Sequence, residues 1–546
     1  MTIEHFLQPV GADPARFVRM VKLQRERYLC PLVGLCSHPA LSRIPFRAME
    51  FRSWLALPLC LLMGAACGAT DNTSDDDGED GDDTPKETWV GPAGVYVTQV
   101  AIYQGPKRVL MLDGFPQQSN VPLVAGRDAL VRVYYATDAG YNGAPVAGEL
   151  KIDGFEPIVA EQPLVGTSND ADLASTVNFY VPGAWIGPQL SYQVGLLQKA
   201  KAGAADNAFA HWPQTLQNEI VPVDGPQNTL RLRMVPFQYN ADGSGRLPDL
   251  SPEAVERFRQ RFRALYPVSN VEVTVHDPEP WNDDIYPNGD GWFNVGLRVQ
   301  SLRNQENSPD DIYYYGIFNP AGSLYQYCGG GCLLGVTLLN DQPPDVGDVS
   351  LLLAIRVGFE QVALDTATHE IGHAHGRPHA DCGYGIDPQS IDDNFPYPNG
   401  GIGVQAYDIT NGSLVEPGKF SDIMGYCETQ FISDYNYVNL LNRGRNVNAA
   451  LMHPPTQLVA YDLIGIDRGV AKWADSRGPG RPIAGAPVDV SVQDDNGAWR
   501  SASARYIRFD HLPGGWLFVP RASGVETKAK RAEFVLDGKL HVAQRQ

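Results

Sequence analysis

The stretch HEIGHAHGRPH, at residues 369–379, holds four of the eleven histidines of this 546-residue chain. His369 and His373 are four residues apart, so on a helix they lie on one face and can bind the same ion. Gly376 lets the chain leave the helix through a left-handed turn, which can bring His379 back as a third imidazole ligand. The stretch therefore predicts a helix that ends in a metal site.

The ligand set predicted for this site suits catalysis. Three neutral imidazoles leave the fourth position of a tetrahedral zinc ion open to water. Zinc lowers the pKa of that water towards ~7, and Glu370, next to the first ligand, can take its proton as general base and deliver it to a leaving amine. His375 points away from the ligand face and is predicted to be a polar residue at the helix end. We expect one catalytic Zn²⁺.

The five fixed residues of this stretch match the HExxHxxGxxH signature of the metzincin zinc endopeptidases. Over about residues 228–448 the chain resembles secreted bacterial reprolysin-like and mucin-protease-like members of that group. The resemblance implies an α+β catalytic domain at 226–450, with a mixed twisted sheet and a zinc-binding active-site helix. The flanking β-regions lie outside it.

A second motif of the resemblance is the Met-turn, which SDIMGY at residues 421–426 resembles. The resemblance implies that Met424 forms the apolar floor under the histidines. Some metzincins carry a tyrosine two residues after that methionine, as an extra zinc ligand or a transition-state donor. Tyr426 matches this position and is a candidate catalytic residue.

The resemblance also implies how substrate is held. In metzincins a strand at the upper rim of the cleft pairs with the substrate backbone, and Leu333–Leu339 is the best candidate for that strand. The insertion Asp381–Ser421 is rich in Gly, Pro and Asp and is interpreted as a solvated loop. A calcium site at Asp387, Asp392 and Asp393 is the weaker alternative.

Four cysteines fall in the part of the chain expected to be exported, and an even number is compatible with two disulfides in an oxidising compartment. They are Cys328, Cys332, Cys382 and Cys427, which allow three pairings. The short CGGGC spacing favours Cys328 with Cys332, which leaves Cys382 with Cys427. A zinc site made only of cysteines is a weaker alternative because no second matching pair is present.

Both flanks of the catalytic region have the pattern of β-sandwich modules. From 90 to 225, short alternating runs such as Val95–Tyr103 are broken by Gly, Pro and Asp. The segment 455–546 returns to this pattern, with alternating valines before a hairpin signal at Asp495–Gly497. No group of residues in either module suggests chemistry.

The N-terminal segment predicts export. Residues 49–66 have a short basic start and an apolar run too short to span a bilayer, as in a signal peptide. Cys67 resembles a lipidated lipoprotein cysteine, with ordinary cleavage near Ala66 as the alternative. Residues 67–89 form an acidic tether. Residues 1–48 are interpreted as an over-extended gene start, or else as a genuine basic extension.

The net charge of the chain limits the classes of partner that it is expected to bind. With 63 acidic and 43 basic residues the net charge is −20, which disfavours a nucleic-acid partner. We expect a protein or glycoprotein substrate and a membrane contact only through the N-terminal lipid anchor. An extracellular or cell-surface location, as a bacterial outer-membrane lipoprotein, follows from the signal and Cys67. The sequence does not specify an oligomeric state.

These patterns predict a secreted or surface-tethered zinc metalloendopeptidase that cuts extracellular proteins, glycosylated ones included. The alternative is a surface adhesin or glycan-binding lipoprotein with a vestigial metal domain. Glu370 favours the enzyme, because loss of chemistry usually removes the base. A zinc aminopeptidase with a downstream glutamate ligand is disfavoured, because His379 already completes the site.

Overall fold

The computed structural model describes residues 87–339, 353–383, 388–427, 429–453, 455–521 and 529–545. All of them belong to one compact unit, Asp83–Gln546. The gene start predicted at 1–48, the signal peptide at 49–66 and the lipidation site Cys67 lie outside the described residues. None of the described helices is both long enough and apolar enough to cross a membrane.

The N-terminal module is a sandwich of two antiparallel sheets. In the first sheet the strand order is β1-β9-β6-β7, and β10 and β11 also pair with β9. In the second sheet the order is β4-β3-β2-β5-β8. In β8, Val177, Phe179 and Val181 are buried between the sheets, as the two-residue period of a strand requires. The bounds are β1 Glu87–Val90, β2 Val95–Tyr103, β3 Lys107–Leu112, β4 Phe115–Pro116, β5 Ala129–Thr137, β6 Val146–Ile152, β7 Ile158–Gln162, β8 Val177–Val181, β9 Gln189–Lys201, β10 His211–Trp212 and β11 Glu219–Pro222.

The module begins slightly earlier than the sequence predicted. Glu87–Val90 forms β1 and pairs antiparallel with β9, Trp89 lying opposite Lys199. Residues 87–89 therefore belong to a sheet and not to the acidic tether that was predicted to end at 89.

The central region alternates strands and helices. Its strands are β12 Thr229–Tyr239, β13 Asn270–Val275, β14 Glu279–Trp281, β15 Ile312–Phe318, β16 Gly335–Leu339 and β17 Leu353–Val357, and its helices are α1 Pro252–Leu265, α2 Trp292–Gln305, α3 Leu324–Cys328, α4 Glu360–Ala374 and α5 Asp434–Met452. The strand order is β13-β12-β15-β17-β16, parallel except for β16, which is antiparallel to β17. A mixed sheet with helices serves many families, so the metzincin-like assignment stays a prediction.

Helix α1 shows how local sequence builds this layer. The Ser251 hydroxyl accepts a hydrogen bond from the amide of Ala254, and Pro252 occupies the first turn, so the helix starts here. Phe258 and Phe262 lie in one core with Ile371 of α4. Burial of each phenylalanine side chain stabilises the fold by roughly 1.5–3 kcal/mol. Helices α1 and α4 thus share a core on one face of the central sheet.

The other face of the central sheet packs against α2 and the C-terminal region. Trp292 and Val295 of α2 share a core with Ile507, Phe509 and residues of neighbouring strands. The C-terminal strands are β22 Val459–Asp467, β23 Val470–Gly480, β24 Ala486–Asp494, β25 Trp499–Phe509, β26 Gly514–Pro520, β27 Ala529–Leu536 and β28 Lys539–Gln544. They are ordered β23-β22-β26-β25-β24-β27-β28 around a second core of their own.

One pairing joins the C-terminal region to the central sheet. Leu338 and Leu339 of β16 lie opposite Phe509 and Arg508 of β25, and the two sets of strands form one 13-stranded sheet. The region 455–546, which the sequence predicts to be a separate module, therefore continues the sheet of the central region through β16.

The described residues between α4 and α5 contain four short strands in two pairs, and one pair lies at the predicted Met-turn. They are β18 Ala406–Asp408, β19 Ser413–Val415, β20 Ser421–Asp422 and β21 Gln430–Phe431. Strand β20 pairs with β21 in parallel, so the turn at residues 423–426 lies between two paired strands.

Candidate metal centre

Three histidines meet at the end of α4. The Gly376 amide donates to the His373 carbonyl at 2.7 Å, and Gly376 has a φ of +78°, a left-handed conformation that glycine adopts without strain. The chain turns back here, so the Nε2 atom of His373 lies 3.1 Å from that of His379 and 3.0 Å from that of His369. The structure thus brings together the three predicted metal ligands.

The hydrogen bonds of the rings define which nitrogens face the site. The Nδ1 atoms of His369 and His373 lie 2.7 Å and 2.6 Å from the carbonyl oxygens of Ile423 and Arg377. A carbonyl oxygen can only accept, so both Nδ1 atoms carry the proton and both Nε2 atoms present lone pairs. Nδ1 of His379 lies 2.8 Å from the Ser390 hydroxyl.

Facing lone pairs at this distance require a positive charge between them. Burial lowers the pKa of His369 to about 4 and lowers the pKa of His373 well below its usual range, so a ring proton does not supply that charge. Nitrogens bound to a tetrahedral zinc ion at about 2.0–2.1 Å would lie roughly 3.3 Å apart. The donor set therefore fits a zinc ion.

Glu370 is held beside the histidines by the strand that was predicted to bind substrate. Its Oε2 atom accepts a hydrogen bond of 2.7 Å from the Thr337 hydroxyl in β16. A Cβ atom on Gly335 would lie 2.1 Å from Oε1 of Glu370, so only glycine permits this approach. Burial, with a contribution from the carboxylate of Asp510, raises the pKa of Glu370 well above its usual range.

Met424 lies directly beneath α4. A Cβ atom on Gly372 would lie 2.4 Å from the Met424 sulfur, so the helix can approach the methionine because residue 372 has no side chain. Buried Asp422 accepts hydrogen bonds of 2.8 Å from the amides of Met424 and Ser433, which holds the turn in shape.

The Tyr426 hydroxyl lies at the ligand nitrogens, although its side chain is 43% exposed. It is 3.0 Å from Nε2 of His379 and 2.6 Å from Nδ1 of His511. Burial of its hydroxyl end raises the pKa of Tyr426. The candidate catalytic tyrosine is thus within contact distance of the candidate metal ligands.

Two site residues come from the C-terminal region and were missed by the sequence analysis. The ligand atoms of His369, His373, His379 and His511 all lie within 4.8 Å of one another. Oδ2 of buried Asp510 is 3.4 Å from Nε2 of His373 and 3.2 Å from Nε2 of His511. The only available signal was an adjacent Asp-His pair between two strands, and no spacing relates it to the 369–379 stretch.

His375 is more buried than its predicted place at a helix end suggests. Its ring stacks on Tyr313 at 4.8 Å, and its Nε2 atom is 3.1 Å from the Tyr313 hydroxyl. Its Nδ1 atom lies 2.8 Å from the carbonyl oxygen of Ile371. Both nitrogens have partners in the core, so His375 is a structural residue and not a metal ligand.

The structure places the four cysteines as two close pairs. The sulfur atoms of Cys382 and Cys427 lie 2.31 Å apart, and those of Cys328 and Cys332 lie 1.98 Å apart. The first pair links the segment after His379 to the segment after the Met424 turn.

The acidic insertion does not form a metal site among the described residues. The Asp392 carboxylate accepts hydrogen bonds from Arg377 at 2.5 Å and from the Tyr435 hydroxyl at 3.1 Å. Asp393 is exposed, and Asp387 lies outside the described residues. Within the described ranges, the groups of potential ligands are both at the histidine site and include neither Asp392 nor Asp393.

Comparison with known proteins identifies no family. No family profile matches the chain, and no curated protein matches it. A solved structure of the β-glucuronidase from Parabacteroides merdae, with glycerol in its active site, is similar over 42% of this chain and 42% of its own length. The two sequences are 8% identical and the TM-score is 0.13, so this likeness carries no argument about fold or function.

Proposed function

We propose that the chain is a zinc-dependent endopeptidase, secreted or tethered to the cell surface, that hydrolyses peptide bonds of extracellular proteins, glycoproteins included. The observation that carries the proposal is the convergence of the Nε2 atoms of three histidines beside the buried carboxylate of Glu370. The predicted signal at 49–66 and the lipoprotein-like Cys67 support the export.

His369, His373 and His379 would hold the zinc ion. When bound, zinc would act as a Lewis acid and lower the pKa of water in the site. Glu370 would accept a proton from that water and pass it to the leaving amine, and its raised pKa favours its holding the proton between these two steps. The Thr337 hydroxyl would keep the carboxylate directed at the site.

Two further groups would act on the substrate. The Tyr426 hydroxyl lies close enough to the ligand nitrogens to donate a hydrogen bond to the developing oxyanion. Strand β16 runs beside Glu370 and would pair with the substrate backbone, as peptide-binding edge strands do.

A second candidate has a specific observation in its favour. Structural zinc sites are closed by four protein ligands, whereas catalytic sites keep one position open. His511 brings a fourth imidazole within reach of the same position. The chain could therefore be a surface binding protein whose metal ion is purely structural.

Zinc content and proteolysis together test the proposal. Purified protein is analysed for zinc and incubated with a denatured proteome, and new N-termini are mapped by mass spectrometry. The same is done with Asp510→Asn/His511→Gln, because these residues adjoin the site. We expect about one zinc per chain, and cleavage by at least one of the two proteins.

The control variants separate chemistry from folding. Glu370→Gln should retain zinc and lose about 10²–10⁴-fold in activity. Glu253→Gln, at an exposed glutamate in the first turn of α1, should change neither quantity. Cleavage that survives Glu370→Gln, or zinc-loaded protein that cuts no substrate in either form, would refute the endopeptidase and favour the binding protein.

A further inference from the structure

The edge of the sheet that substrate would use is already occupied. One edge of β16 pairs with β17, and the opposite edge pairs antiparallel with β25 at Leu338 and Leu339. The Asp510 amide donates to the Thr337 carbonyl at 3.1 Å, and Oδ1 of Asp510 accepts from the Thr337 amide at 2.9 Å. From Thr337 onward, β16 therefore has no free edge for a peptide.

Asp510 and His511, which follow strand β25, contact the side chains that are proposed to bind metal and act in catalysis. Asp510 is fully buried against His373, and His511 lies 3.6 Å from Oε1 of Glu370 through its Nε2 atom. Nδ1 of His511 lies 2.6 Å from the Tyr426 hydroxyl. One short segment thus contacts a metal ligand, the candidate base and the candidate oxyanion donor.

This segment is rigidly attached to the C-terminal region. Phe509 lies in the shared core, where its ring meets those of Phe293 and Trp516 at 6.1 Å and 6.3 Å. Strand β25 continues through Phe509, and β26 begins at Gly514, so the segment 510–513 is a tight connection between two paired strands. Its position is therefore a property of the whole C-terminal region.

We propose that the C-terminal region is an intramolecular inhibitor of the peptidase: β25 occupies the substrate edge of β16, His511 supplies a fourth metal ligand, and Asp510 and His511, whose ligand atoms lie within 4.8 Å of a Glu370 carboxylate oxygen, block the base. This inference rests on the proposed function, because it assigns a regulation to that site. In wild type, the fourth position becomes free only when the segment 508–512 withdraws from β16. Replacement of His511 removes the fourth ligand directly, and replacement of Asp510 removes its charge from the site.

The observations favour an inhibitory role for the segment 508–512 over a direct role of Asp510 and His511 in catalysis. A residue that assists a peptide substrate must leave room for it, whereas this segment takes both the backbone partners of Thr337 and the space between Glu370 and the imidazoles. A ligand set of four histidines also matches a closed zinc site.

The test compares full-length wild type with Asp510→Asn/His511→Gln, which preserves side-chain size. The matched control is Asp489→Asn/His453→Gln, which changes an exposed aspartate and an exposed histidine away from the site. Circular dichroism melting verifies that each protein is folded. Each is loaded with Co²⁺ in place of zinc and titrated with acetohydroxamate, a small chelating probe, while its visible absorption spectrum is recorded.

We expect the spectra of wild type and control to be unchanged by acetohydroxamate, and that of Asp510→Asn/His511→Gln to shift on saturable binding. Cleavage of a quenched fluorescent peptide should rise at least about tenfold in the same variant, and adding Glu370→Gln should abolish it. Equal acetohydroxamate binding by wild type and variant would overturn the proposed inhibition. A cobalt spectrum that acetohydroxamate shifts in neither protein would also overturn it.

The outcomes also separate this inference from the proposed function. Full peptidase activity in wild type, lost in Glu370→Gln, would keep the endopeptidase and remove the inhibitor. A drop in kcat in the Asp510→Asn/His511→Gln variant would make these residues part of catalysis and overturn inhibition. An open cobalt centre with no proteolysis in any protein would refute the endopeptidase alone.

Discussion

The Thr337 hydroxyl donates a hydrogen bond of 2.7 Å to the carboxylate of Glu370. The strand that would align a peptide and the residue that would act as base are therefore directly connected. Placement of Glu370 depends on β16, and any movement of this strand would also move the carboxylate.

Replacement of Thr337 tests this connection. Thr337→Val keeps the shape of the side chain and removes the donor, and a hydrogen bond to a charged group contributes about 1.5–3 kcal/mol. We expect kcat/KM to fall roughly tenfold or more with zinc content unchanged, measured in whichever form of the protein is active. Thr337→Ser, which retains the hydroxyl, should recover most of the activity; equal losses in both variants would point to packing.

Tyr426→Phe tests the oxyanion role. Loss of one oxyanion donor typically costs about 10²–10³ in kcat, and the hydroxyl lies 3.0 Å from Nε2 of His379. We expect kcat to fall by this amount while KM and zinc content stay constant. Tyr325→Phe, at a tyrosine 73% exposed, is the matched control. Unaltered turnover in a folded Tyr426→Phe protein would leave this residue only a packing role.

Removal of the metal should destabilise the fold. A ligand that binds only the native state, present at 100 times its Kd, stabilises it by about 2.7 kcal/mol, and without it the histidine lone pairs face each other. We expect a chelator to lower the Tm of wild type and added zinc to restore it. His369→Ala/His373→Ala, which leaves only two of the four imidazoles, should melt at the same temperature with and without chelator. If chelator leaves the Tm of wild type unchanged, the predicted metal site is contradicted.

The cysteine pairs should differ in their effect on stability. In the chain-entropy picture, a loop with a sequence separation of 45, as for Cys382 and Cys427, corresponds to about 4 kcal/mol, and a separation of 4, as for Cys328 and Cys332, to about 2 kcal/mol. Paired serine variants should therefore lower the free energy of unfolding more at 382 and 427. Non-reducing peptide mapping checks the pairing itself, and a peptide joining 382 to 328 or 332 would exclude it.

Gly372→Ala tests the contact between α4 and Met424. Within a helix this change usually stabilises by up to about 1 kcal/mol, but here the new Cβ atom would lie 2.4 Å from the Met424 sulfur. We therefore expect a lower Tm and weaker zinc binding. Combining Gly372→Ala with Met424→Ala should recover part of the loss, and strictly additive effects would mean that the two residues do not interact.

Much of the local structure was predictable because it depends on short-range pattern. The alternating run Val95–Tyr103 forms a strand at these bounds. The cap residue Ser251 and the prolines at 252 and 267 predict a helix between them, and α1 runs Pro252–Leu265. The pattern of residues 292–304 also predicts a helix, and α2 ends one residue later, at Gln305. Each of these features is decided by side-chain periodicity and terminal residues, which the sequence displays directly.

The burial of His375 was missed because periodicity about one helix says nothing about neighbouring elements. Tyr313, which stacks on it, comes from β15 and is 62 residues away in sequence. The same limitation applies to residues 87–89: their acidic and polar neighbours suggest a tether, whereas pairing with β9 is a contact with a distant strand.

The sequence by itself was enough to predict that the three histidines and Glu370 lie together in one site. Helical spacing and the glycine turn are local, so they bring these side chains together whatever surrounds them. Only the tertiary structure decided that Asp510 and His511 join this group, the latter 85 residues beyond Tyr426. The pairing of β16 with β25 aligns them, and strand pairing between distant segments depends on backbone hydrogen bonds that any sequence can make.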